Sequence, residues 1–161
     1  MTAAVVRRPW LVIAAIVIAD QLTKHWALNR LSGGRTIDLV GSLRFNLAFN
    51  KGMAFSQATG AGPVIGALGF VIVIVVALWM RRSARGVAAV AASLIVGGAI
   101  GNLVDRLFRG DAWLRGAVVD FVDLQWFPIF NLADSAITIG AVTMALAALC
   151  QPKEQQAEPQ A

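Results

Sequence analysis

The chain has 161 residues, of which 58% are hydrophobic and only 14% charged, where a soluble domain is nearer half apolar and a quarter charged. At this length the composition excludes a separate soluble enzyme beside a membrane domain, so any site must be built from membrane helices and their loops. The net charge of +5 would suggest nucleic acid on a soluble protein, but here the basic residues sit mostly at the ends of apolar blocks, where they anchor helices and meet anionic lipid, which points away from nucleic acid.

The first apolar block, 9–28, follows Arg7 and Arg8. No A-x-A-like site closes it, and Asp20 and Lys24 interrupt it, so it reads as an uncleaved transmembrane helix and not as a signal peptide. The connection 29–62 places Ile37, Leu39, Leu43, Phe45, Leu47 and Phe49 at alternate positions around Gly41-Ser42. That pattern predicts a small β-hairpin or curved sheet on the membrane surface, with a two-residue turn that has Gly first. The block 63–80 has no charge and predicts the second span; Arg81, Arg82 and Arg85 end it. The third span is expected at 87–106. The connection 108–128 carries Trp113, Trp126 and Phe127, rings that favour the headgroup level. Pro128 precedes the fourth span, 130–149, where a missing N–H costs little. The polar tail 151–161 is expected to be disordered.

These elements predict an all-α membrane protein: one domain, 1–150, of four transmembrane helices with a small surface β-hairpin. The arginine cluster in the short 81–85 turn favours that side as cytoplasmic. Both termini then lie in the cytoplasm, and both long connections share the opposite face.

Three acids gather at that shared face. Asp105 ends the third helix, Asp120 sits in the following loop within Val118-Val119-Asp120-Phe121, and Asp134 lies about one turn into the fourth helix. A carboxylate in or near a bilayer is costly and marks function by default. Structural roles stand beside that reading. Asp105 can pair with Arg106 or another cation, with Asn102 on the same helix face. Asp120 can be a solvated loop acid, although its neighbours are apolar. Asp134 can serve a helix N-terminus. Asp20 and Lys24, four apart, either pair with each other or shape the site from the first helix. Gly97 and Gly101 have the spacing that lets helices approach closely.

Two acids close together in low dielectric cannot both ionise easily, so Asp120 and Asp134 suggest a two-carboxylate hydrolase. A proton-coupled transporter also uses membrane acids, but four helices are few and no inverted repeat is evident. A structural protein whose acids only pair helices is the third reading. His25 and Cys150, each the single residue of its type, argue against a histidine-rich metal site and rule out an internal disulfide. No H-E-x-x-H or G-x-S-x-G motif occurs.

Four motifs fall in order: Asp20-Gln21-Leu22-Thr23-Lys24; Asn50-Lys51-Gly52-Met53-Ala54-Phe55; Gly97 to Arg106 (GGAIGNLVDR); and Val118-Val119-Asp120-Phe121 with Phe130-Asn131-Leu132-Ala133-Asp134. Together, over nearly the whole chain, they resemble bacterial lipoprotein signal peptidase, or signal peptidase II. The resemblance implies an aspartic endopeptidase of the bacterial cytoplasmic membrane that cuts prolipoproteins just before a diacylglyceryl-modified cysteine. It implies four spans with an extracytoplasmic β-cradle and a short surface helix, an active site near that face, inhibition by globomycin-type peptides, and no cofactor or metal. It maps the catalytic pair to Asp120 and Asp134. It gives Asn50, Gly52, Asn102, Asp105, Arg106 and Asn131, with Asp20 and Lys24, as residues that line or support the site. The prolipoprotein and membrane lipid are the expected partners, with a monomer as the working unit. The segment 107–117 is longer than the family pattern, so Asp120 rests on its local motif, with Asp123 as the alternative register.

Overall fold

The computed structural model describes residues 9–52, 62–83 and 85–150. Arg7, Arg8, residues 53–55 of the second motif and the tail 151–161 lie outside the described residues. The elements run α1 (Pro9–Leu31), β1 (Thr36–Val40), β2 (Leu43–Asn50), α2 (Gly62–Ser83), α3 (Gly86–Phe108), β3 (Val118–Asp123) and α4 (Leu132–Leu149). All four helices are long and apolar enough to cross a membrane, at about 1.5 Å of rise per residue across about 30 Å of hydrocarbon.

The central helix is α3, which packs on each of the other three. Small residues make this possible. A Cβ on Gly97 would meet Ile16 of α1 at 2.9 Å, and one on Gly101 would meet the Asp20 carboxylate at 2.6 Å. One on Gly98 would collide with the Ala133 carbonyl of α4. The spacing read as a close-packing motif therefore faces α1, while Gly98 opens a second seam to α4. Gly98→Ala is expected to force α3 and α4 apart and to cost about 1–3 kcal/mol, the usual range for overpacking. A thermal melt in detergent reads this as a lower midpoint, and an unchanged midpoint would contradict it.

The expected hairpin is present. β1 and β2 pair antiparallel with Val40 opposite Leu43, and Gly41 has φ +57 at the first turn position, as a turn with Gly first requires. Phe45 and Leu47 of β2 pack with Trp26 over Ala27, Leu31 and Phe121, so the sheet rests on the end of α1.

The second connection departs from expectation. Val118–Asp123 is not a loop but β3, paired antiparallel to β2 with Ala48 opposite Asp120. Five of its six residues are buried. A strand covered on both faces shows no alternation of apolar and polar residues, which is why period alone missed it. This pairing also puts the two long connections on one face. α4 begins at Leu132, two residues later than expected, because Asn131 is its cap. No short surface helix occurs among the described residues.

Candidate active site

Three elements bring the acids together. β3 carries Asp120, only 2% exposed. The first turn of α4 carries Asp134, and α3 carries Asn102 and Asp105. Asn131 ties the first two elements. Its Oδ1 accepts the Asp134 backbone N–H at 2.9 Å, and its own N–H donates to Asp134 Oδ2 at 3.3 Å, a capping box. Such a box satisfies donors that a helix start leaves open. The Nδ2 of the same side chain donates to Asp120 Oδ1 at 2.6 Å and to Asn102 Oδ1 at 3.1 Å. Asn102 Nδ2 in turn donates to Asp134 Oδ1 at 2.8 Å. Asp120, Asn131, Asn102 and Asp134 thus form one hydrogen-bonded chain. Asn50 of β2 also hydrogen-bonds Asp120. Gly52 is buried at φ +109, where a Cβ would be strained, and its N–H donates to Asn50 Oδ1 at 3.0 Å.

The Asp120 carboxyl is pushed up to about 7, by burial first and by Asp134 second, against the hydrogen bonds from Asn131 and Asn50. A carboxyl so placed holds its proton near neutrality.

Asp105 is not the partner of Arg106. Neighbouring residues on a helix point about 100° apart. The fully buried Asp105 instead accepts from Lys24 Nζ at 2.9 Å and from Arg109 Nε at 2.6 Å. It also accepts the Val119 N–H at 3.1 Å, next to Asp120. Asp20 and Lys24 do pair, at 2.8 Å. Gln21, which sequence reasoning passed over, donates to Asp105 Oδ1 at 3.2 Å. Arg109 was legible as the residue four after Asp105; Gln21 gave no such signal.

Arg106 faces the other way. It is 6% exposed, and its Nη1 has no hydrogen-bond partner among the described residues. It lies with Asn50, Asn102 and Asp134 on a cavity of about 420 Å³ whose remaining lining is apolar, from α2, α3, α4 and Val118. A larger cavity of about 1210 Å³ is bounded by the Trp126-Phe127-Pro128 segment, α4 and Asp120. The two cavities share Asn50 and Asp134, so Asp134 stands where they meet, with Asp120 on the larger one. Among the described residues no group of three or more His, Cys, Asp and Glu side chains is arranged to hold a metal ion.

Asp123, the alternative register, sits elsewhere. It accepts from Arg44 Nε at 2.8 Å, Asn46 Nδ2 at 3.0 Å and the Gln125 N–H at 2.7 Å. Burial raises its carboxyl, but these bonds outweigh that and hold it below its ordinary range. Asp123→Asn keeps an acceptor oxygen there. It is expected to leave turnover within about threefold, because Asp123 lines neither cavity. A dead but folded variant would move the assignment to Asp123.

A family profile described as Signal peptidase (SPase) II matches residues 12–150. The lipoprotein signal peptidase of Mycobacterium leprae (strain Br4923) is 42% identical over 135 residues, 82% of this chain and 67% of that protein. That of Rhodococcus jostii (strain RHA1) is 41% identical over 140 residues, 86% of this chain and 71% of that protein. A solved bacterial membrane enzyme superimposes with a TM-score of 0.80 at 29% identity, covering 95% of this chain and 96% of the other.

Proposed function

The chain belongs to the signal peptidase II family and is a multi-pass bacterial membrane protease that removes signal peptides from prolipoproteins; from that premise we propose that Asp120 and Asp134 cut the peptide bond as a pair sharing one proton. The observation that carries this is the unbroken hydrogen-bond chain from Asp120 through Asn131 and Asn102 to Asp134, at the junction of two cavities.

Asp120, with its raised carboxyl, holds the proton and points it at the scissile carbonyl oxygen. Asp134, held by an amide N–H and a backbone N–H at the start of a helix whose dipole favours an anion, takes a proton from water. The hydroxide attacks the carbonyl carbon while Asp120 protonates the oxygen. On collapse of the tetrahedral diol Asp134 gives its proton to the leaving amine nitrogen, and Asp120 recovers its own from a hydroxyl of the diol. An extended substrate brings unpaired backbone groups into low dielectric, where each is costly. Arg106 Nη1, without a hydrogen-bond partner among the described residues, is a donor placed for a substrate carbonyl.

The substrate in this reading carries a diacylglyceryl group on the cysteine after the cut. Its acyl chains hold it in the bilayer where the helices can meet it. The exposed rings of Trp126 and Phe127 border the larger cavity and supply apolar surface at the headgroup level. Both termini are cytoplasmic and the dyad lies near the extracytoplasmic face, at the end of the bundle opposite Arg81 and Arg82. The protein acts as a monomer, and globomycin-type peptides compete for the dyad.

The test compares diacylglyceryl-modified and unmodified prolipopeptides with the purified protein in detergent, with the cut bond read by mass spectrometry. Cleavage of the modified peptide alone, at the bond before the cysteine, is the expected result. Equal cutting of both peptides, or a cut elsewhere, would overturn the substrate assignment.

A further inference from the structure

Lys24 has no exposed surface, and three acceptors surround its ammonium: Asp20 Oδ2 at 2.8 Å, Asp105 Oδ2 at 2.9 Å and Asn102 Oδ1 at 2.9 Å. An ammonium only donates. The Asn102 atom that faces it must therefore be the carbonyl oxygen, and the amide nitrogen is turned toward Asp134. The same Asn102 oxygen accepts from Asn131 Nδ2, which also donates to Asp120. The second amide is fixed in its own right, because Asn131 Oδ1 accepts the Asp134 backbone N–H and its Nδ2 also donates to the Val119 carbonyl at 3.4 Å. With the Asn102 amide reversed, its oxygen would face a carboxylate oxygen of Asp134.

Charge balance alone does not call for this arrangement. Asp20 and Asp105 are matched by Lys24 and Arg109, so the cluster is neutral. The third N–H of Lys24 is spent on a neutral amide one link from the dyad.

We propose that Lys24 is a positioning residue for the carboxylate pair: by holding the Asn102 oxygen it turns the Asn102 amide N–H toward Asp134 and keeps the chain of amides between the two acids in one direction. This rests on Asp120 and Asp134 being the catalytic pair. The charged groups around that pair are Asp20 and Lys24 from α1 and Asp105, Arg106 and Arg109 from α3. β2 brings Asn50, while its Arg44 is engaged by Asp123. The charges of α2 lie in its last turn, at Arg81 and Arg82.

Lys24→Met alone strands a buried carboxylate and is expected to unfold the protein. The informative variant pairs it with Asp20→Asn. That removes one charge of each sign, leaves Asp105 and Arg109 together, and keeps an acceptor for the Ala133 N–H that Asp20 Oδ1 now takes at 3.0 Å. With a diacylglyceryl prolipopeptide in detergent, KM should stay within about threefold while kcat at pH 7 falls about 10- to 100-fold. The acidic limb of the kcat profile should move up by about one pH unit, so the deficit narrows as pH rises. Asp20→Asn with Lys24→Gln, which restores a donor toward Asn102, should recover most of the loss. In an Asn102→Leu background the double change should add nothing further.

A folded double variant with wild-type limbs would reduce Lys24 to a counter-ion, as would a full additional loss in the Asn102→Leu background. Asp134→Asn, run alongside, separates the two ideas. If it still cleaves, the dyad itself is wrong; if it is dead while the double variant keeps its profile, only the role of Lys24 fails.

Discussion

Asp134→Asn and Asp120→Asn are each expected to lower kcat on a diacylglyceryl prolipopeptide by about 10³-fold or more, with KM little changed. Neither amide can exchange a proton at neutral pH, so water is not deprotonated in one variant and the carbonyl is not protonated in the other. Both remain folded, because an asparagine oxygen still accepts from Asn102 or Asn131 and the volumes match. Asp120→Asn carries a second signature. The raised carboxyl means that the folded state takes up a proton the unfolded chain has lost. That favours the fold below the unfolded value near 4, and the advantage disappears as pH rises through about 7. The amide has no charge to bury, so at pH 8 the variant should melt higher than wild type, by at most about 4 kcal/mol from a shift of roughly three units. At pH 4 the two should coincide. For the wild type the same carboxyl sets the descending limb of kcat/KM near pH 7, where the proton that Asp120 must donate is lost. Folded variants that still cut would remove Asp120 and Asp134 from the chemistry.

The second large effect is expected at Asn131, which is fully buried and joins catalysis to folding. Asn131→Ala removes the cap of α4, at a cost of about 1–2 kcal/mol. It also removes the N–H on Asp120 and the tie to Asn102, which should lower kcat by about 10²-fold. Asn131→Asp separates the two roles. Its oxygen still accepts the Asp134 N–H, so the helix start is retained, but it sets a third carboxylate against Asp120 and should depress activity as much as alanine. Melting midpoint and kcat measured on both variants check this. An alanine variant that keeps both would show that the chain of amides is ornamental to the site.

The helices and the hairpin were legible because each follows from a local rule. Uncharged blocks of about twenty residues read as spans, and alternation around Gly41-Ser42 reads as paired strands. β3 was missed because residues on both of its faces are buried, so its apolar run carried no period. The motif residues Asp120, Asp134, Asn102 and Asn131 were named from the sequence, but the order in which they touch was not. Hydrogen bonds between residues 11 to 32 positions apart depend on helix packing that no local pattern encodes. Asp105 was read as the partner of Arg106 or another cation; the other cations, Lys24 and Arg109, hold it, because helical geometry points Arg106 away and Arg109 toward it. The third N–H of Lys24 was beyond reach, since it requires knowing how α1 turns against α3, a contact set by Gly97 and Gly101.

The buried ions also bear on how the protein enters the bilayer. Asp20 pairs with Lys24 four residues on within α1, and Asp105 pairs with Arg109, the residue that caps the end of α3 four positions later. Each helix therefore brings its own opposite charges, already adjacent before any neighbour arrives. A lone ion at mid-membrane is a heavy burden for an inserting segment, whereas a self-compensated helix partitions with little net charge and exchanges partners only when the bundle closes. The chain can thus be threaded into lipid one span at a time during biogenesis. The interhelical bond from Lys24 to Asp105 forms only once α1 and α3 have met.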